Sequence, residues 1–279
     1  MLDSYWVRLD NAYNSAMTKA KSITVVNTLN DIQYQQFMRD GYVKVPGLVS
    51  RALCDRTVDV VEASIEPALG PLEYEAEVHY PGAPSNRRSQ GGDTPRRLLH
   101  AYARDDVFRD WACHPAVVKS VKQLIGADDV LLTQNHHNCI MTKLAKFSSQ
   151  TDWHQDIRYW SFDRPELVNV WLALGAEHAE NGGMKMIPGS HAMEFERGRL
   201  DANLFLRQDL PENQTLLQTA VDVELEAGDV LFFHCRTFHA AGANKSDKPK
   251  YSLVFSYHAA DNLPIPETRS ARLDSVSVD

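Results

Sequence analysis

The run Thr151-Asp152-Trp153-His154-Gln155-Asp156 carries an H-x-D motif. On extended backbone, successive side chains point to opposite faces, so His154 and Asp156 project together and Gln155 projects the other way. One imidazole and one carboxylate then meet at a common point. A further histidine from another strand would complete a 2-His-1-carboxylate facial triad, the ligand set that leaves open positions on non-heme Fe(II). Alone, H-x-D is unspecific, since a surface His–Asp hydrogen bond accounts for it equally. The rest of the chain must supply the third ligand.

Two histidines compete for that role in Val230-Leu231-Phe232-Phe233-His234-Cys235-Arg236-Thr237-Phe238-His239, which follows a Gly228-Asp229 turn. Being five residues apart, they face opposite sides of a regular strand, so only one reaches a metal. The small residues from Ala240 to Asn244 can then turn the chain into Lys250-Tyr251-Ser252. Lys250 and Ser252 share a strand face. A cation and a hydroxyl on an inward barrel face make a clamp for a carboxylate, with the lysine acting as a point charge. An exposed lysine beside Lys245 and Lys248 is the plainer account.

The elements that must position these groups fall into two halves. Thr28-Leu29-Asn30-Asp31 resembles a capping box, and Ile32, Phe37 and Met38 give a partial helical stripe ending at Gly41. Tyr42-Val43-Lys44-Val45 alternates like a strand that stops at Pro46-Gly47, and Ser50 caps a second helix to about Leu69. Tyr80 to Arg97 has no hydrophobic period and reads as a long loop, either a binding loop or a mobile one. Asp105 to Gly126 returns to helix, with Pro115 in a first turn and Val117, Val118, Val121, Leu124 and Ile125 on the buried face. After Gly126 the texture changes to short strands: 130–132, 138–143, 168–174, 183–187, 221–225, 230–233 and 251–257. So many short strands bounded by turn residues predict a sandwich or jelly roll. Residues 1–27, including a β-like Ile23-Thr24-Val25-Val26, receive no role, and the tail from Asp261 is polar and loosely held.

With 279 residues and 43% hydrophobic content, the chain can bury a sizeable core. Its net charge of −8 argues against a dedicated nucleic-acid binder. Cys54, Cys113, Cys139 and Cys235 form no C-x-x-C pair, which suits free thiols in a reducing cytoplasm. Neither a signal peptide nor about 18 uninterrupted apolar residues is visible, although peripheral membrane contact stays open.

The chain resembles the phytanoyl-CoA dioxygenase family of Fe(II)- and 2-oxoglutarate-dependent oxygenases. The resemblance spans most of the sequence: Phe37 to Val43, Trp153-His154-Gln155-Asp156, Val170-Trp171-Leu172-Ala173-Leu174, Glu180-Asn181-Gly182-Gly183, Ile187-Pro188-Gly189-Ser190-His191, Gly228 to His234, and His239 followed by Asn244-Lys245-Ser246. It implies one domain over 1–279: a mainly β chain with flanking helices, in which helical support over about 28–126 backs a double-stranded β-helix (jelly roll) over about 130–258. It makes His154, Asp156 and His239 the iron ligands. In similar proteins the distal histidine is followed five residues later by Asn and eleven later by a basic residue, and Asn244 and Lys250 stand at those offsets from His239. His234 misses both and becomes a packed residue.

The resemblance also implies that Lys250, with Ser252, binds the far carboxylate of 2-oxoglutarate. The family's residue there is usually Arg, so the bidentate grip is in question. Trp171 matches a position beside the cosubstrate, although ordinary core packing explains it nearly as well. Arg97 matches a basic cosubstrate or substrate contact. The implied activity consumes 2-oxoglutarate and O2, releases succinate and CO2, hydroxylates an unactivated C–H bond of a small or lipid-linked substrate, and is stimulated by ascorbate. Asp156 stands where the related halogenases have a small residue, which disfavours halogenation. Substrate candidates are the sugar acid 3-deoxy-D-manno-octulosonic acid of the lipopolysaccharide inner core, a natural product or an amino acid. Convergence of Arg87, Arg88, Arg96, Arg197 and Arg199 would favour an anion. The competing reading is a cupin-like isomerase or hydrolase using Zn(II) or Mn(II) at the same triad without a keto acid.

Overall fold

The structure is a computed structural model that describes residues 29–278 apart from His79, Pro81 and Lys146. The β-like run at Ile23–Val26 and Thr28 of the expected cap lie outside the described residues. Helix α1 (Asp31–Asp40) opens on a reciprocal cap in which Asn30 Oδ1 accepts from Gln33 N–H and Gln33 Oε1 accepts from Asn30 N–H. It closes on Gly41 at φ 81°. Of the expected stripe only Phe37 is buried; Ile32 and Met38 are 80% and 50% exposed.

Strand β1 (Tyr42–Val45) follows, and then α2 (Arg51–Ile65), capped by Ser50. This helix stops short of the expected Leu69 because Pro67 cannot continue the backbone ladder. The region expected as one long loop contains strand β3 (Pro95–Leu99), paired with β2 (Leu72–Tyr74). Its alternation is hidden in the sequence because two of the alternating positions are Arg96 and Arg97, which break any apolar pattern. Arg96 is buried against Glu75, Ser149 and Thr151. Three helices complete the support: α3 (Ala101–Arg104), α4 (Asp106–Ala112) and α5 (Pro115–Ile125).

The strands of the second half are β4 (Val130–Leu132), β5 (Asn138–Lys143), β6 (Thr151–His154), β7 (Leu167–Ala173) and β8 (Met184–Met186). After α6 (Pro211–Leu217) come β9 (Val221–Val223), β10 (Val230–His234), β11 (His239–Ala241), β12 (Lys250–Ala259) and β13 (Val276–Ser277). A large sheet runs in the order β1-β10-β7-β12-β5-β3-β2, with β4 and β13 branching from β12. A small sheet runs β6-β11-β8-β9. All their pairings are antiparallel, giving the double-stranded β-helix. The tail, expected to be loose, is docked: Asn262 and Ser270 are buried and β13 pairs with β4.

Period-2 alternation decides what enters the barrel. On β7 and β12, Val168, Val170, Leu172, Leu253, Phe255 and Tyr257 face the helices and form the larger core with Phe108, Trp111 and Val117. The intervening positions turn inward. Trp171, Ala173 and Val254 pack there with Met184, Met186 and Phe233, and so do the polar residues Asn169, Lys250, Ser252 and Ser256, all buried. These alternating polar positions build the site.

Candidate active site

His154 ends β6 and His239 begins β11, and the two stand directly opposite in register. Their ring centroids are 4.2 Å apart. Beyond β6, Gln155 stays extended and Asp156 opens a short 3-10 turn through Tyr159, so the alternation expected for H-x-D persists although the strand has ended. Asp156 Oδ1 lies 3.6 Å from His154 Nε2 and 3.7 Å from His239 Nε2. One ligand atom from each residue falls within 4.8 Å of the others, and all three residues are buried.

The hydrogen bonds around the triad suit a metal. His154 Nδ1 lies 2.8 Å from the Asp152 carbonyl and His239 Nδ1 lies 3.0 Å from the Thr237 carbonyl. A carbonyl only accepts, so each Nδ1 carries the proton and each Nε2 turns a lone pair inward. Burial, then the neighbouring His239, pushes His154 down to about 3. Burial also lowers His239. The Arg158 charge adds to both effects. Burial alone would raise Asp156, but the charge and hydrogen bond of His137, together with His239, hold its carboxyl well below the usual range. Two neutral imidazoles and one carboxylate are the protonation states a divalent metal requires.

Asp156 is held from both sides. Asn169 on β7 donates to Oδ2 at 2.8 Å, and Asn169 Oδ1 accepts in turn from Ser256 on β12. His137 Nε2 lies 3.0 Å from Oδ1. Burial opposes the charge on His137, but Asp156 outweighs it and carries the imidazole up to about 9. Asn169→Ala removes the Oδ2 anchor, and iron affinity is expected to fall about 10- to 100-fold, read by anaerobic Fe(II) titration.

The triad opens into a cavity of about 480 Å³. Lys250, Trp171, Arg97 and Lys143 line it. Lys250 and Ser252 do clamp a carboxylate, but it belongs to the chain: Glu177 accepts from Lys250 Nζ at 2.8 Å, Ser252 Oγ at 2.6 Å and Trp171 Nε1 at 3.0 Å. Lys143 stands opposite Lys250 in register and has no carboxylate partner among the described residues; its Nζ donates to the Ser149 and Gly242 carbonyls. Burial, with the charges of Arg96 and Lys250, pushes Lys143 well below the ordinary lysine value. Arg97 donates to Glu73 and to Tyr80 Oη. Asn244 does not line the cavity: its Nδ2 donates to the Lys143 and Lys248 carbonyls and so ties the β11–β12 connection to β5.

Sequence reading missed Glu177, Lys143, Asn169 and Arg158. Only the inward parity of Asn169 with Trp171 and of Lys143 with Met141 could have pointed to any of them. From the sequence, His136 or His137 either faces the cosubstrate or marks a polar strand edge, and both line the cavity. His234 sits away from the triad, its ring 5.6 Å from His191 and its Nδ1 accepting from Arg236 N–H. The five arginines whose convergence would favour an anionic substrate do not gather. Arg87 lies over Tyr74 and near Glu77, Arg197 donates to the Leu200 carbonyl, Arg199 donates to Asn213, Arg88 is exposed, and Arg96, though at the cavity wall, is taken by Glu75.

Two histidines and a carboxylate converging within a double-stranded β-helix are the ligand set that non-heme iron oxygenases use. The model of the phytanoyl-CoA dioxygenase family matches residues 37–252. The chain belongs to this family of Fe(II)- and 2-oxoglutarate-dependent oxygenases, which overturns the reading of a metalloprotein that works without a keto acid. A probable phytanoyl-CoA dioxygenase of Caenorhabditis elegans is 27% identical over 178 residues, covering 62% of this chain and 57% of that protein. The ectoine dioxygenase of Streptomyces avermitilis is 22% identical over 250 residues, covering 83% of this chain and 79% of the relative. Among solved structures, EctD from S. alaskensis with bound Fe superposes with a TM-score of 0.72 at 18% identity, covering 92% of this chain and 89% of that one. The epimerase SnoN, in complex with Fe3+, alpha ketoglutarate and nogalamycin RO, gives 0.67 at 24% identity over 88% and 94%. Among the described residues no helix is long and apolar enough to cross a membrane.

Proposed function

We propose that this protein hydroxylates a C–H bond of a small substrate, with His154, Asp156 and His239 as the iron ligands. The observation that carries this reading is the pair of inward Nε2 lone pairs beside an ionised carboxylate, all buried at one point of a cavity roomy enough for cosubstrate and substrate. When bound, ferrous iron with 2-oxoglutarate and O2 supplies the oxidant: 2-oxoglutarate loses CO2 to become succinate, one oxygen atom entering succinate and the other the substrate C–H bond.

The chain's own residues hold and orient. The Asp152 and Thr237 carbonyls fix both imidazoles, while Asn169 and His137 fix the carboxylate. Lys250 and Lys143 set two amine donors against the same end of the cavity; Glu177 pairs with Lys250, while burial and the neighbouring cations disfavour the charge on Lys143. The distal carboxylate of 2-oxoglutarate arriving beside Lys143 would supply the counter-charge that this buried amine lacks, with Trp171 on the same cavity wall. A lysine grips one oxygen at a time where an arginine would grip two, so two lysines here replace a single fork with two separate donors. Arg97 faces the same space with Glu73 and Tyr80 already attached. A sugar acid, a natural product or an amino acid remain the substrate candidates.

Incubation with Fe(II), ascorbate, O2 and 2-oxoglutarate tests the reading. Succinate is expected to form slowly alone and faster, in equal amount to hydroxylated product, with the right substrate. No succinate under any of these conditions would refute it.

A further inference from the structure

Arg158 is two residues beyond Asp156 in the same 3-10 turn, and it lines the cavity. Its guanidinium carbon lies over the Phe205 ring, 4.1 Å from the centroid, and over the Tyr159 ring at 4.8 Å. Those contacts engage the π face of the group rather than its N–H donors. Nη1 is buried and donates to nothing among the described residues. A buried charged donor left unmatched is costly, and a guanidinium edge is shaped for two oxygens of one oxyanion.

The nearby carboxylates do not answer it. Of the glutamates lining the cavity, Glu73 is taken by Arg97, while Glu77 accepts from the Tyr74 N–H and faces Arg87. Arg269, in the docked tail, lines the same cavity and adds a second cation with no ion pair among the described residues. We propose that Arg158, backed by Arg269, is the recognition site for an oxyanion on the substrate, a carboxylate or a phosphate or sulfate ester, and that it anchors this group within one turn of the iron ligands. This rests on the oxygenase reading and narrows its substrate class. Arg158 is not among the groups assigned to the cosubstrate, so substrate and cosubstrate anions are given different partners. A neutral substrate would leave Arg158 unmatched.

The test uses the full chain loaded anaerobically with Fe(II) and 2-oxoglutarate and titrated with sulfate, with the uncharged isostere dimethyl sulfone as control. Tryptophan fluorescence reports binding, since Trp160 lines the cavity. Saturable sulfate binding is expected. It should weaken at least about tenfold in Arg158→Leu and be largely kept in Arg158→Lys, with dimethyl sulfone inert throughout. A circular dichroism melt checks that both variants fold. If Arg158→Leu does not fold, the proposal stands or falls on Arg158→Lys and on competition of sulfate with acid but not methyl ester forms of stimulating compounds. Absence of saturable binding in the unaltered protein, equal binding in Arg158→Leu, or a loss of 2-oxoglutarate affinity as large as that for sulfate would each overturn it. Loss of the iron–2-oxoglutarate chelate band with sulfate binding intact would instead sink the oxygenase reading.

Discussion

His239→Ala is expected to abolish turnover, lowering succinate formation by about three orders of magnitude, or ~4 kcal/mol of barrier, and to remove iron binding with it. His239 supplies one of only three donors, and its neighbours cannot replace it. His234→Ala is expected to keep iron binding, because that imidazole faces His191 and the Arg236 backbone amide rather than the triad. Equilibrium Fe(II) binding measured on both variants checks this. Equal loss in the two would show that the wrong histidine had been chosen, and His154→Ala and Asp156→Ala should match His239→Ala.

The second large effect falls on Lys250. Its ammonium and the Glu177 carboxylate are 3% and 0% exposed, so neither charge has water to fall back on. Lys250→Met leaves Glu177 buried with Trp171 and Ser252 as its partners, and the expected loss is about 3–5 kcal/mol of stability, seen as a lower midpoint in chemical denaturation. Lys250→Met/Glu177→Leu should recover most of that stability. Recovery stays incomplete because the Trp171 and Ser252 donors then lack an acceptor. Both variants should bind 2-oxoglutarate more weakly, since the first removes charge from the cosubstrate end and the second alters its shape. A single variant as stable as the parent would mean that the pair is not worth what its burial implies.

Much of this site was legible before any coordinates. His239 was preferred to His234 only through the family resemblance, by the offsets to Asn244 and Lys250, whereas His154 and Asp156 could be paired because a strand's period of two transmits spacing into geometry. The jelly roll was legible for the same reason: β5, β7, β10 and β12 are short, apolar and bounded by turns. Strand β3 was not, because Arg96 and Arg97 occupy it and a buried ion pair looks like loop composition when read along one dimension. Glu177 was hidden for a related cause. Its partner lies 73 residues away, and nothing local marks a glutamate as fully buried. Arg158 sits in plain view beside the motif, yet its significance lies in what it fails to contact, which only a packed structure reveals.

Anaerobic titration of the protein with one equivalent of Fe(II) and increasing 2-oxoglutarate tests the account most directly, because the visible metal-to-ligand charge-transfer band of the chelate requires metal, keto acid and open coordination positions at once. A weak band that saturates with 2-oxoglutarate and vanishes in Asp156→Ala is the predicted result. Tight Fe(II) binding with no such band at any 2-oxoglutarate concentration would contradict it.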